Sequence, residues 1–173
     1  FKQKTAYEIG VRLVGSEMCI RDRFVNSSAR ALEATIDGFD VIEPTFNMDM
    51  HLFTRDDPDG WPEGGTDWSS VGGVMYRIRF TQSLGGTADG ISWPTQALLA
   101  DNGVASAEEI IGFFNDLLFD GSLTTSQEQM LVRYVETNSR HLRVVLVPGS
   151  VIYELQVRSV VALMLSLPQW NFQ

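Results

Sequence analysis

Cysteine is almost missing from this sequence, with Cys19 the single one among 173 residues. One thiol closes no disulfide within the chain and builds no Cys-based zinc site. Histidine does not take over the role. His51 and His141 lie far apart, neither stands in a metal-spaced motif, and each reads as a surface or packing residue. Lysine is confined to Lys2 and Lys4, and the formal charge is −9. A chain so poor in positive charge is unsuited to nucleic acid or to anionic membrane surfaces, which require clustered Lys and Arg. Also missing are a phosphate-cradling glycine motif followed by Lys and a Gly-x-Ser-x-Gly nucleophile turn. The most apolar run, Val160 to Leu167, falls far short of the roughly 20 residues that span a bilayer, so membrane insertion is not expected.

The first residues carry a different signal. Lys2 to Ile9 is what the DNA string AAG CAG AAG ACG GCA TAC GAG AT encodes, and Leu13 to Asp22 is what CTC GTG GGC TCG GAG ATG TGT ATA AGA GAC encodes. Both resemble library adapters read in one frame, with Gly10 to Arg12 where a variable index would sit. Residues 1–23 are therefore expected to be a translated adapter, and residues 24–173 the native chain, its own N-terminus missing. Setting 1–23 aside removes five of the 13 basic and three of the 22 acidic residues, which leaves a net charge of −11, no lysine and no cysteine.

Apolar spacing then divides the chain. Val25, Ala29, Leu32 and Ile36 recur as on one helix face, with Gly38 as a stop, and Pro44 favours a second helix through Phe46, Met50 and Phe53. Pro58, Gly60, Pro62, Gly64 and Gly65 forbid a continuous helix, so a long turning loop follows, pinned by Trp61 and Trp68. From Ser69 the spacing Val71, Val74, Met75, Ile78 predicts a helix with Arg77 on its polar side. Gly72 and Gly73 weaken its first turn by roughly 1 kcal/mol each and suggest close approach of the preceding loop. A turn-rich connection over Gly85 to Pro94 leads to a short helix ending near Ala100. Ser106 with Glu109 forms a capping box before Ile110, Phe113, Phe114, Leu117 and Leu118, with Gly121 as terminator. Thr125 with Glu128 repeats the pattern before Met130, Leu131, Tyr134 and Val135, and the short linker implies an antiparallel pair. His141 to Val147 reads as extended. Ser150 opens a last, central helix with Ile152, Leu155, Val160, Val161, Met164 and Leu165 inward, ended by Pro168.

The loop holds the candidate site. Asp56, Asp57, Asp59, Glu63 and Asp67 offer hard oxygen ligands among glycines, the chemistry calcium takes. The EF-hand register fails, because Gly60 at the sixth position puts Arg55 at the first and no Glu at the twelfth. A solvated turn, with Asp67 capping the next helix, is the plainer reading, and no resident cofactor is expected. Candidate binding residues are Asp59, Trp61, Glu63, Asp67, Trp68 and Arg77. Arg77, within an apolar helix, reads as a structural partner of a carboxylate or of carbonyls before it reads as a ligand contact.

Four stretches resemble a bacterial family known as domain of unknown function eighteen-hundred. Phe24 to Leu32, FVNSSARAL, is similar to its helix bearing Arg-Ala-Leu. Met48 to Trp68, MDMHLFTRDDPDGWPEGGTDW, is similar to its Met-Gly-x-x-Leu-Phe, Gly-Trp-Pro and Gly-x-x-Trp signature, and Val74 to Phe80 to its Leu-Leu-x-Arg-x-Asn-Phe. LMLSLPQWNFQ is similar to its Ser-Pro-Glu-Phe-Gln ending. Asp49 replaces the usual Gly and Arg79 the usual Asn. The resemblance implies the C-terminal fragment of a longer, frequently exported protein. It supplies no activity.

The expected fold is mainly α, an irregular helical domain of about six helices with a long Gly/Trp/Pro loop, and the incomplete C-terminal part of a larger helical protein. Two functions fit. One is a non-enzymatic assembly or binding module whose partner is the missing N-terminal region or another exported protein. The other is part of a hydrolase acting on polysaccharide or another surface polymer, its site completed by the missing region.

Overall fold

The computed structural model describes residues 24–25, 27–36, 71–86, 91–138, 140 and 142–171. Among them are seven helical segments and one short two-stranded pairing, so the domain is mainly α. The first segment, α1, is helical at 24–25 and 27–31. Then follow β1 (Thr35–Ile36), α2 (Val71–Gly85), β2 (Ile91–Ser92), α3 (Thr95–Asp101), α4 (Ala107–Phe119), α5 (Thr125–Glu136), α6 (Val151–Leu165) and α7 (Pro168–Asn171). The expected helix over Phe46 to Phe53, the Gly-Trp-Pro loop and its Trp61 and Trp68 pins lie outside the described residues.

α1 stops earlier than Gly38. Glu33 adopts φ 52°, the left-handed conformation that ends a helix, and the Ala34 amide donates to the Ala29 carbonyl at 2.7 Å. The chain leaves as β1, which pairs antiparallel with β2 through Thr35 opposite Ser92 and Ile36 opposite Ile91. Phe24, Val25 and Leu32 are buried as the spacing requires.

α2 turns the opposite face inward from the one expected. Gly73, Arg77, Phe80, Thr81 and Leu84 are buried, whereas Val71 is 83% and Met75 51% exposed. The inward residues lie along an i, i+4 ridge that packs on α6, and Arg77 goes in with them. The loop expected to approach Gly72 and Gly73 lies outside the described residues, and a close helix approach is seen at Gly85. A Cβ on Gly85 would stand 2.6 Å from Ala162 Cβ and 3.0 Å from the Arg158 carbonyl oxygen.

The pair α4 and α5 is an antiparallel hairpin whose locks are local. Ser106 and Glu109 form the capping box of α4. Its C-terminus ends at Asp120 (φ 53°), followed by Gly121 (φ 70°), both amides donating to the Asn115 carbonyl. The second box belongs to Thr124 and Gln127, one residue before the pair the sequence suggested, because Thr124 has the extended backbone of an N-cap. Glu128 is thereby freed, and it accepts a bond from the buried Asn115 Nδ2 at 2.8 Å. Asn115 Oδ1 accepts from the Leu123 amide at 3.2 Å, so one side chain ties helix, turn and helix. Leu117, Met130 and Tyr134, expected in the core, are exposed, and Ile111, Leu131 and Val135 fill it.

α6 is the central helix, packing against α2, α3, α4, α5 and α7. Ser150 caps it, its Oγ accepting from the Tyr153 amide at 3.1 Å. Its inward side carries Tyr153, Val157, Arg158, Val160, Val161, Met164 and Leu165, while Ile152 and Leu155, expected inside, face out. The helix ends before Pro168, which begins the single turn α7. There Trp170 donates from Nε1 to Ser28 Oγ at 3.1 Å and packs edge-on to Phe119, binding the end of the described chain to α1.

Candidate functional site

Of the sequence-stated candidates, Asp59, Trp61, Glu63, Asp67 and Trp68 lie outside the described residues, as does the acidic calcium candidate. Arg77 alone is placed. It is buried on the core side of α2, its guanidinium carbon 5.8 Å from the centre of the Phe24 ring, and desolvation lowers its pKa from the ordinary arginine value. Its position is that of a packing element between α1 and α2.

The most developed polar cluster centres on Arg158, which was not among the sequence candidates. Arg158 Nε donates to Glu154 Oε1 at 3.0 Å, Nη1 to the Gly86 carbonyl at 3.3 Å and Nη2 to the Trp93 carbonyl at 3.0 Å. Its guanidinium lies 5.0 Å from the Trp93 ring centre. Trp93 Nε1 in turn donates to the Leu84 carbonyl at 2.8 Å. Leu84 stands in the last turn of α2 and Gly86 just beyond it, where helix carbonyls lack intrahelical partners and carry partial negative charge. One cation and one indole therefore cap that end from the side. Glu154 Oε2 accepts from Gln96 Nε2 at 2.9 Å, which brings α3 into the same network. The i, i+4 spacing of Glu154 and Arg158 was its sequence signal. With these bonds made, the cluster holds α2, β2, α3 and α6 in register.

Between α4 and α5 runs an open groove of about 470 Å³ lined by Glu108, Ile111, Glu128, Val132, Arg133 and Glu136. Its carboxylates are partly committed, Glu128 to Asn115 and Glu136 to Arg143 at 3.2 Å. Among the described residues no group of three or more His, Cys, Asp or Glu is placed to hold a metal, and no helix is long and apolar enough to cross a membrane.

The outer surface shows the other distinctive feature. Leu142, Val145 and Val147 are exposed, and so are Val151, Ile152 and Leu155 at the start of α6. Val145 is 81% exposed. This strip falls within residues 142–155 and follows the turn made by Asn138, whose Oδ1 accepts from the amides of Arg140 and Leu142. The His141 to Val147 stretch, expected to be extended, contributes an isolated antiparallel bridge between Thr137 and Arg143.

The model of the family described as Protein of unknown function (DUF1800) matches residues 18–172. The chain belongs to this family. The DUF1800 match takes in every described element, from α1 through α7, with the Arg158 network and the outer strip. No curated protein and no solved structure gives a match.

Proposed function

We propose that this DUF1800 chain is a non-enzymatic assembly or binding module of a larger exported bacterial protein. It docks on the preceding region of that protein, or on another exported protein, through the apolar strip Leu142 to Leu155. The observation that carries the reading is the exposure of Leu142, Val145, Val147, Val151, Ile152 and Leu155 within residues 142–155. Exposed apolar surface is a feature of interaction sites, since its burial is the main favourable term in association. The polar interior is compatible with the same reading, because the Arg158 donors are spent on Glu154 and on the carbonyls of Gly86 and Trp93.

Sedimentation of the isolated chain, alone and with the upstream region of a longer family member added in trans, tests this. The chain alone is expected to self-associate, and the upstream region to convert it to a defined complex. A monodisperse, cooperatively melting monomer that ignores the upstream region would remove the reading.

The competing reading is part of a hydrolase acting on polysaccharide or another surface polymer. The open groove bearing Glu108 gives it some support. It requires that a longer family member turn over such a polymer, and that joint replacement of Asp59, Glu63 and Asp67 abolish turnover while melting is unchanged.

A further inference from the structure

We propose that Asn102 is a covalent modification site, an asparagine that loses its side-chain amide in the folded chain by attack of the Gly103 backbone nitrogen, with water as co-reactant. The site is independent of the docking reading. Asn102–Gly103 is the one Asn-Gly pair in the sequence. Glycine puts no side chain in the way of the attacking nitrogen, and a Cβ built at Gly103 would meet nothing within 4 Å. Both residues are exposed, and they follow the last turn of α3, a helix of 7 residues. The fold restrains the pair without sequestering it. Asn102 has φ −98° and ψ 4°, its Nδ2 donates to the Leu98 carbonyl at 2.8 Å, and the Gly103 amide donates to the Ala100 carbonyl at 3.1 Å. Ring closure requires these two bonds to open and ψ to rotate. They lie at the exposed end of a short helix, where opening costs far less than unfolding the domain.

The chemistry balances with water alone. The Gly103 nitrogen yields its proton to solvent base and bonds to Asn102 Cγ, the Cγ–Nδ2 bond breaks, and ammonia leaves with a proton. Water then opens the five-membered succinimide at either carbonyl, giving aspartate or isoaspartate, and the proton it releases goes to solvent base. Either product undoes the turn. A carboxylate replaces the donor that faced the Leu98 carbonyl, at the negative end of α3 and next to Asp101. Isoaspartate also adds a methylene to the main chain just before the Gly103 and Val104 amides, which reach the carbonyls of Ala100 and, at 2.9 Å, Leu99. Val104 passes the change to α6, because its carbonyl accepts from the Tyr153 hydroxyl at 3.1 Å.

The test incubates the whole folded chain in warm, mildly alkaline buffer beside an end-blocked peptide of residues 100–105, and follows both by peptide mass and by an isoaspartate assay. Conversion at Asn102 in the chain is expected to be roughly 5–30-fold slower than in the peptide, the factor for a local opening of the turn. If only the globally unfolded chain reacted, the factor would be about a thousandfold or more. Conversion within about a hundredfold of the peptide therefore upholds the site, and anything slower, or none, overturns it. Asn102→Gln keeps an amide but closes a ring far less readily, so it should abolish the product while α3 stays protected from amide exchange. The same mass gain in Asn102→Gln would place the modification elsewhere and overturn the assignment. Asn102→Asp carries the charge of the aspartate product, and exchange at Gly103 and Val104 should quicken roughly 2–10-fold. Unchanged exchange there, in Asn102→Asp and in the purified isoaspartate form alike, would overturn the loosening of the turn.

Discussion

The guanidinium of Arg158 stacks 5.0 Å from the centre of the Trp93 ring while donating to the carbonyl of that same Trp93 at 3.0 Å. A single side chain thus fixes both the ring and the backbone of the residue that follows β2. Because Trp93 also caps Leu84, the end of α2 is held through two layers of one network.

Removal of Arg158 should therefore be costly well beyond one salt bridge. Arg158→Met keeps much of the apolar stem but strands the Gly86 and Trp93 carbonyls and the Glu154 carboxylate, for a loss of roughly 2–4 kcal/mol. Arg158→Lys should recover only part of it, because an ammonium cannot reproduce the planar fork that reaches two carbonyls and a carboxylate. Urea denaturation of the two variants reads the difference. Equal stability of Arg158→Lys and the native chain would contradict the account.

At Gly85, α2 comes so near α6 that there is no room for a side chain. Gly85→Ala places a methyl 2.6 Å from Ala162 Cβ, and the overpacking should cost about 1–3 kcal/mol. Ala162→Gly in the same chain should relieve part of this despite its own helix penalty of about 1 kcal/mol. A favourable coupling in the double-mutant cycle is the expected sign, and strict additivity would show that the helices simply separate.

Glu109 sets an acid limb to stability. It accepts from the Ser106 and Ala105 amides, and these bonds hold its pKa below the ordinary carboxylate value. A depressed folded pKa means that the stabilisation is complete above the unfolded value, about 4.3, and is lost as pH falls through the folded one. Glu109→Gln keeps an acceptor without the titration and should flatten that limb in urea midpoints measured from acid to neutral pH. At the alkaline end Tyr153 behaves oppositely. Desolvation, then the nearby Glu109 charge, raises its pKa, so its contribution is present below the unfolded value of about 10 and is lost as pH rises through the folded one. Tyr153→Phe should remove that slope while losing the bond from its hydroxyl to the Val104 carbonyl at 3.1 Å.

Local signals were legible and facing was not. The capping residue Ser106, the terminator Gly121 and the opening Ser150 all read correctly because each acts within one turn of its own backbone. The inward face of α2 did not, since a Val71, Val74, Met75, Ile78 stripe and a Gly73, Arg77, Thr81, Leu84 ridge both satisfy helical spacing. The choice was made by α6, whose Ala162 accepts the Gly85 backbone and whose Ser166 Oγ lies 2.7 Å from Thr81 Oγ1. Likewise Ile152 and Leu155 are as apolar as Val160 and Val161, and only tertiary packing separates the outer strip from the core. For the candidate site, Arg77 was expected on the polar side of its helix and is buried instead, and the Arg158 hub depends on carbonyls more than 60 residues away, the nearest of them at a sequence separation of 65. No pattern in the side chains announces which carbonyls will lack partners.

Among the described residues, the bond from Trp170 Nε1 to Ser28 Oγ closes the fold across 142 residues. Ser28 Oγ also donates to the Phe24 carbonyl at 2.7 Å, so the hydroxyl accepts from one end of the domain and donates within the other. Ser28→Ala removes both bonds and leaves the indole N–H buried without its acceptor, a cost of about 1–3 kcal/mol. Trp170→Phe removes the donor while keeping a ring against Phe119, which is 6.0 Å away and edge-on. In the double variant the stranded N–H is gone, so the combined loss should fall short of the sum of the two single losses by about 0.5–3 kcal/mol. Hydrogen exchange gives an independent reading. In Trp170→Phe the amides of α1 should lose protection ahead of those in α4 and α5, whose hairpin is locked within itself by its capping boxes and Asn115. Uniform loss across all helices would instead mean that α1 and α7 belong to the same cooperative unit as the rest.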